Sequence, residues 1–532
     1  MKIISTFLIC YIFCLSLVSF CIAHAGESQT GIVAYNVQNY GATGEKSHIC
    51  TESIQRTIDE CAQSGGGMVY IPPGNYTSGA ISLKSNIRLF LEAGATLYPY
   101  KKEGAYPKGA FIYGENLHNI TLEGRGTIDG EAEYVWTDDD EKDMYIDVNR
   151  QILKSRGERL RRTFPKGVTC QLLFLVDCED VRITGLSFVR SPSWTIHIWG
   201  CERVVIDGIY AYSHLVEAVW ADGIDINCSK DVHISNCTVE TGDDAIVLKS
   251  YPWFDKPARP TENVTVTNCR LTSTSSAFKC CDTNFTRISH VVVDNCVIRS
   301  SNRGLAFMCH DGGELSDVIV SNVTVECTRH KWFWWGDGDP IYFRLDRRSE
   351  KTKVGSIKNI LISNVVAYAT GPCTITGYPS QPLEGITLDR VTIHVTNDPE
   401  AVLLTENALI CRKVNDLTLQ DVRIVWGSPS SELWKSALYL EDINHLRLEN
   451  FYGRQAHDKS TAPAIALNNV IDATICGCEV QSGTGEFLHF SGNNTDNIFL
   501  FGNDFTEAEI SYKLEDGIKK KVIHAQDNII EK

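Results

Sequence analysis

Four aspartates lie close together in this sequence: Asp222, Asp225, Asp243 and Asp244. They fall in two short phrases, Trp220-Ala-Asp-Gly-Ile-Asp-Ile-Asn227 and Thr241-Gly-Asp-Asp-Ala-Ile-Val-Leu-Lys249. Clustered carboxylates do not all ionise together near neutrality, so one is pushed to keep its proton. A protonated acid beside an ionised one suits glycoside hydrolysis: the first protonates the leaving oxygen and the second activates water. Spacing alone leaves two other readings open. One is a calcium site, which also collects oxygens; the other is a set of solvated loop acids. Asp243 and Asp244 are consecutive, and in an ideal strand they would point to opposite faces. For both to serve one site the backbone must bend, which Gly242 permits.

The elements that must hold these acids are readable as a repeat. A polar pair followed by an alternating apolar triplet returns along the chain, as in Asp180-Val-Arg-Ile183, Asp231-Val-His-Ile234, Asn263-Val-Thr-Val266 and Asn359-Ile-Leu-Ile362. Its first apolar residue falls at 181, 204, 232, 264, 291, 318, 360, 386, 417 and 446. The steps run from 23 to 32 residues, except one of 42. A period in the twenties with two-residue alternation inside it predicts a parallel β-helix. A β-propeller needs a longer, four-stranded unit. Each coil stacks on the next at about 4.7–4.9 Å, so residues one repeat apart become neighbours. Asp222 and Asp243 are 21 residues apart, about one repeat, so the acids are expected to share one patch.

The expected fold is therefore all-β: a single-domain right-handed parallel β-helix with a short N-terminal capping helix. The cap spans about 31–80 and the domain 26–532. Within the cap, Ile54, Ile58 and Cys61 mark one face of a helix from Thr51 to Ala62, ended by Gly65-Gly-Gly. Lys2, the apolar run Ile3 to Ile22 and Ala23-His24-Ala25 predict a cleaved secretory signal over 1–25, hence an exported, secreted or periplasmic protein. An uncleaved membrane anchor is the alternative, and no later stretch resembles a membrane span. The net charge of −16 argues against nucleic acid or an anionic membrane as partner. Of 20 cysteines, Cys10, Cys14 and Cys21 lie in the signal, and the rest show no zinc spacing. Several follow Asn at what reads as one phase of the repeat: Asn227-Cys228, Asn236-Cys237, Asn268-Cys269 and Asn295-Cys296. Cysteine there is expected to pack as a small buried hydrophobe, and the Asn to form an amide ladder at one corner.

Two insertions interrupt the repeat. Residues 328–358 contain Trp332-Phe-Trp-Trp335, whose Trp334 and Trp335 are candidates for stacking on sugar rings. The bland alternative is that they pack the loop onto the coil below. Residues 131–166 are acidic first and basic later, and are expected to be a solvated excursion, with a wall to a substrate groove as the alternative.

Several motifs resemble glycoside hydrolase family 28, the polygalacturonases and rhamnogalacturonan hydrolases. They are Tyr35-Asn-Val-Gln-Asn-Tyr-Gly-Ala42, Gly65-Gly-Gly-Met-Val-Tyr-Ile-Pro-Pro-Gly-Asn-Tyr76, Leu91-Glu-Ala-Gly-Ala-Thr-Leu97, Gly124-Arg-Gly-Thr-Ile-Asp-Gly130 and Ser191-Pro-Ser-Trp-Thr-Ile-His197. The family's Asn-Thr-Asp-Gly corresponds to Trp220-Ala-Asp-Gly223, and its Gly-Asp-Asp is intact at Gly242-Asp243-Asp244. The resemblance implies that Asp243 is the general acid and that Asp222 and Asp244 hold the attacking water. It also implies inversion at the anomeric carbon, with no metal or other cofactor. Three departures stand out. Trp220 replaces the Asn. Ser275-Ser-Ala277 stands where Gly-His-Gly is expected. Ala306-Phe-Met308 stands where Arg-Ile-Lys is expected. Two cationic donors that grip a galacturonate carboxylate are thereby missing. Lys249, Lys279 and Arg303 are the candidate replacements for substrate binding, with Trp220 beside them. His197 is expected to be a corner residue rather than a catalyst.

The expected function is an exported inverting hydrolase of a pectic poly- or oligosaccharide, possibly a rhamnogalacturonan or branched pectin. A β-helical polysaccharide lyase and a non-catalytic carbohydrate-binding β-helix are the alternatives.

Overall fold

The computed structural model describes residues 34–138, 161–330, 336–398, 405–458 and 460–530, with residues 151, 154, 155 and 157. The expected signal sequence lies outside these residues, as do Trp334 and Trp335. Near the N-terminus the helix Thr51–Gln63 buries Ile54, Thr57, Ile58 and Cys61. Gly66 ends it in a left-handed turn (φ 107°), where a Cβ would lie 2.5 Å from the Asn86 carbonyl oxygen. The predicted helix and its glycine stop are both present.

After this cap the chain winds into a right-handed parallel β-helix. The expected phrase starts fall in one column. Val181 pairs with Val204, Val204 with Val232, Val232 with Val264, and the column continues through Val291, Val318, Ile360, Ile386, Leu417 and Leu446. Val318 pairs directly with Ile360, so the long step adds a loop and skips no rung. These column residues are buried, as are the apolar residues two positions on, such as Ile183, Ile206, Ile234 and Val266. The intervening side chains face outward because the strand period is two. The core is thus an axial stack of aliphatic columns, and each rung lacks a sealed core without its neighbours.

Polar side chains hold the corners. Asn236, Asn268 and Asn295 have φ of 57°, 54° and 54°, a conformation that asparagine tolerates better than most residues. The Asn236 amide donates to Asp207 Oδ1 at 2.6 Å, Asn268 donates to Asn236, and Asn295 to Asn268 at 3.4 Å. Next to them Cys237, Cys269 and Cys296 are buried and free, as the small-hydrophobe reading expects. Asn227-Cys228 is not in this phase. There Cys228 itself has positive φ (52°), and it packs in a second cluster with Phe174 and Trp199.

The insertion at 131–166 is more than a solvated excursion at its two ends. Tyr134–Asp138 and Arg161–Pro165 form an antiparallel pair. That pair docks on the solenoid: Tyr134 Oη donates to Ser191 O at 2.8 Å, and Trp136 Nε1 to Glu217 Oε1 at 3.3 Å.

Stacking of the inner columns predicts a sharp contrast between neighbours. Ile234→Ala should lower stability by about 2–5 kcal/mol through a dry cavity. His233→Ala, on the exposed side of the same strand, should change it by about 0.5 kcal/mol or less. Thermal denaturation of the two variants measures both.

Candidate active site

Successive strands Ile196–Trp199, Ile224–Asn227, Ile246–Ser250, Ser276–Asn284, Arg303–Cys309 and Asp339–Leu345 stack in parallel along one face. Their core residues Ile196, Ile224, Ile246, Phe278, Leu305 and Ile341 align in register. Two residues before each lies Trp194, Asp222, Asp244, Ser276, Arg303 and Asp339 respectively. This second column carries the expected chemistry, one functional group per rung.

Backbone geometry makes the column possible. Gly223 N donates to Asp244 O at 2.8 Å, so Asp222 and Asp244 occupy neighbouring rungs as their sequence spacing predicts. A bend over residues 242–243 lets Asp243 and Asp244 serve one site. Gly242 is needed there for room rather than for a left-handed φ. A Cβ on it would come within 2.6 Å of Ala218 O and 2.7 Å of His214 O. Gly223 is equally confined, 2.4 Å from Ala245 O.

The acids are not alike electrostatically. Asp222 is buried, and its Oδ2 accepts from Lys249 Nζ at 2.9 Å. Lys249 also pairs with the fully buried Asp225. Asp244 is buried as well. Its Oδ2 pairs with Lys279 Nζ at 3.0 Å, and its Oδ1 accepts from Ser275 Oγ at 2.8 Å and Ser276 N at 3.1 Å. The serines standing where Gly-His-Gly was expected therefore fix one of the acids. Among the described residues no lysine or arginine pairs with Asp243. Its Oδ1 accepts from the Asp244 backbone amide at 3.0 Å. Burial, then the charges of Asp222 and Asp244, push its carboxyl well above the ordinary range, against the weaker pull of Lys279 and Lys249. Burial and Asp222 raise Asp225 as well.

The candidate replacement cations are all present on this face, and each is engaged by a carboxylate. Lys249 and Lys279 hold the acids themselves. Arg303 lies 3.4 Å from Asp339 Oδ2, and its guanidinium sits 3.9 Å from the Tyr342 ring centroid. Burial and Asp337 raise Asp339 to about 7. Trp220 is half-buried beneath the docked hairpin: Arg162 lies 4.0 Å from its ring, and its Nε1 donates to Thr163 O at 3.1 Å. That packing accounts for the residue replacing asparagine.

His197 corrects the corner expectation. It lies inside a strand, paired in register with Asp225, and stacks on Phe174 at 4.4 Å. Its Nδ1 lies 3.1 Å from Gln171 Oε1. Burial and the nearby Lys249 keep its ring neutral. Trp194 and Trp253 pack edge-on against it and Tyr251 packs against both of those rings, and no sequence signal gives the three a role. Trp194 lies within a recognised motif, but Tyr251 and Trp253 meet it only through rung stacking.

The match to known proteins is broad. The model of the family described as "Glycosyl hydrolases family 28" matches residues 61–329. A "Probable polygalacturonase" of Vitis vinifera is 25% identical over 386 residues, covering 67% of this chain and 73% of the relative. A "Polygalacturonase" of Juniperus ashei is 24% identical over 229 residues, 41% of this chain and 40% of that protein. Among solved structures, a hyperthermoactive exopolygalacturonase from Thermotoga maritima superposes with a TM-score of 0.55 at 21% identity, covering 77% of this chain and 95% of that one. That structural likeness supports the fold.

The raised carboxyl of Asp243 sets a pH dependence of stability. A group protonated more readily in the folded than in the unfolded state stabilises the fold at low pH, and loses that contribution as pH rises through its folded value. Thermal midpoints of the parent and Asp243→Asn should coincide below the ordinary carboxylate value of 3.8. Above it the variant should become progressively the more stable. A gap that stays constant with pH would contradict the electrostatic assignment.

Proposed function

Because this chain belongs to the glycosyl hydrolases of family 28, we propose that it cleaves a pectic poly- or oligosaccharide with inversion, using Asp243 as general acid. The observation that carries this is the unequal treatment of three neighbouring carboxyl groups. Asp222 and Asp244 each hold a lysine, whereas among the described residues none pairs with Asp243, which is pushed toward its protonated form. Asp243 gives its proton to the glycosidic oxygen as the bond to the anomeric carbon breaks. Water held between Asp222 and Asp244 attacks that carbon from the opposite side, and one of these carboxylates takes its proton. The acid and base then exchange protons with solvent, which restores the starting state.

Lys249 and Lys279 act as positioning residues. Each ammonium fixes the carboxylate oxygen it binds, which orients the pair of acids that holds the water. The same pairing argues against a lyase. There a basic group must take a proton beside a uronate carboxylate, and Lys249, Lys279 and Arg303 are each committed to a carboxylate. The basic start, apolar run and Ala23-His24-Ala25 support export. Among the described residues no helix is long and apolar enough to cross a membrane.

Incubation with homogalacturonan, rhamnogalacturonan and branched pectins should release reducing ends without the ultraviolet absorbance of unsaturated uronates. Asp243→Asn should lower the rate by about 100-fold or more, the usual range for loss of a general acid, and still bind substrate. Unsaturated products would replace the hydrolase by a lyase. Substrate binding without turnover in the parent chain would point to a carbohydrate-binding protein.

A further inference from the structure

The face that carries the acids has chemically different surroundings on its two sides, and the N-terminal side is aromatic. Trp194 occupies the rung immediately before Asp222, since Thr195 N donates to Asp222 O at 2.9 Å. Lys249 Nζ bridges the two features, 3.6 Å from the Trp194 ring centroid and 2.9 Å from Asp222 Oδ2. Tyr251 and Trp253 complete the patch. Their ring centroids lie 6.2 and 6.4 Å from Trp194 and 6.0 Å from each other. All three rings are half-buried, and Phe254 extends the patch with 87% of its surface exposed. His197 and Phe174 pack beneath, with His197 4.8 Å from Trp194 and 5.2 Å from Trp253. The rings are therefore backed by packed side chains rather than carried on an unsupported loop.

The cations in this region are already engaged within the protein. Lys249 is shared by Asp222 and Asp225. Lys256 lies 2.6 Å from Asp177 and 3.4 Å from Glu115, and Arg259 also pairs with Asp177. An additional carboxylate placed here would meet four acidic side chains whose cations are already engaged. Burying a charge without a new partner is unfavourable. An uncharged sugar has no such penalty, and its C–H face matches an aromatic surface.

We infer that Trp194, Tyr251 and Trp253 form a subsite for an uncharged sugar ring next to the cleaved bond, so that the substrate is a mixed chain rather than a uniform polyuronate. The inference rests on the hydrolase reading and adds to it the class of sugar on the aromatic side. Arg303, two rungs beyond Asp244, lies on the opposite side of the acids.

The test uses the mature chain carrying Asp243→Asn and two tetrasaccharides of equal length. One alternates rhamnose with galacturonate; the other is tetragalacturonate. Titration calorimetry should give about tenfold tighter binding of the alternating probe, on the scale of one good aromatic contact. Adding Trp253→Ala should remove that preference. Adding Phe254→Ser, at the exposed edge, should reduce it with no change in thermal midpoint, which guards against a folding defect in the first variant. Equal or tighter binding of tetragalacturonate overturns the inference, as does binding of neither probe or a preference that survives Trp253→Ala. Reducing-end release by the parent chain is measured alongside. Cleavage of homogalacturonan in preference to the mixed backbone would overturn the neutral subsite and leave the hydrolase reading standing. Cleavage of no pectic polymer would remove the hydrolase reading, while the two binding isotherms still decide whether the patch selects an uncharged ring.

Discussion

Every feature of this protein depends on the rung-to-rung hydrogen bonding of parallel strands. It fixes the spacing between equivalent residues at about 4.8 Å, whatever the loops between them do. That spacing is close enough for a lysine on one rung to reach a carboxylate on the one before. Lys249 thus reaches Asp222 and Asp225 from a single position, and Lys279 reaches Asp244. Asparagines at the corners use the same distance to pass an amide bond along the axis. The two glycines among the acids, Gly223 and Gly242, remove the side chains that would hold the backbone apart where it must pass most closely.

Three carboxyl groups are packed onto two adjacent rungs. Lysines pair with Asp222 and Asp244, and Asp243, without one among the described residues, is pushed toward its protonated form. Buried pairs of this kind are weak evidence for stability, because desolvation offsets much of the attraction. Breaking one is a different matter, since it strands an unpaired charge in a dry site. The arrangement is therefore better explained by the division of labour it imposes on the acids than by any gain in folding free energy. In the proposed mechanism the ordering of acid and base follows from which carboxylate, among the described residues, lacks a paired cation, not from any difference in residue type.

Much of this was legible beforehand. Alternation and period located the column from Val181 to Leu446, because burial on one side of a strand leaves a direct mark on residue type. The capping helix was equally clear from Ile54, Ile58 and Cys61. The shared patch of acids followed from spacing alone. What escaped is what depends on side chains meeting across rungs or loops. Lys249 and Lys279 looked like cations awaiting a substrate, because charge pairing is invisible until register is known. Trp220 looked like a sugar contact, but the hairpin that covers it comes from an insertion whose path no periodicity describes. The corner expected at His197 is a strand position instead, since the phase of Ile196–Trp199 shows only in its pairing with Ile224–Asn227. The aromatic patch joins Trp194 to Tyr251 and Trp253, more than fifty residues later, and only stacking brings them together.

The parallel strands carry one more consequence. All of them run the same way, so the face that carries the acids has no twofold symmetry and its two directions are inequivalent. A polysaccharide is likewise a directed object, with a reducing and a non-reducing terminus. A strand of sugar laid along Trp194, Asp222, Asp244 and Arg303 meets rings at one end and an arginine–aspartate pair at the other. Reversing it would exchange those surroundings for every unit at once. The solenoid therefore offers a directed polymer two inequivalent ends, as a vectorial ruler would.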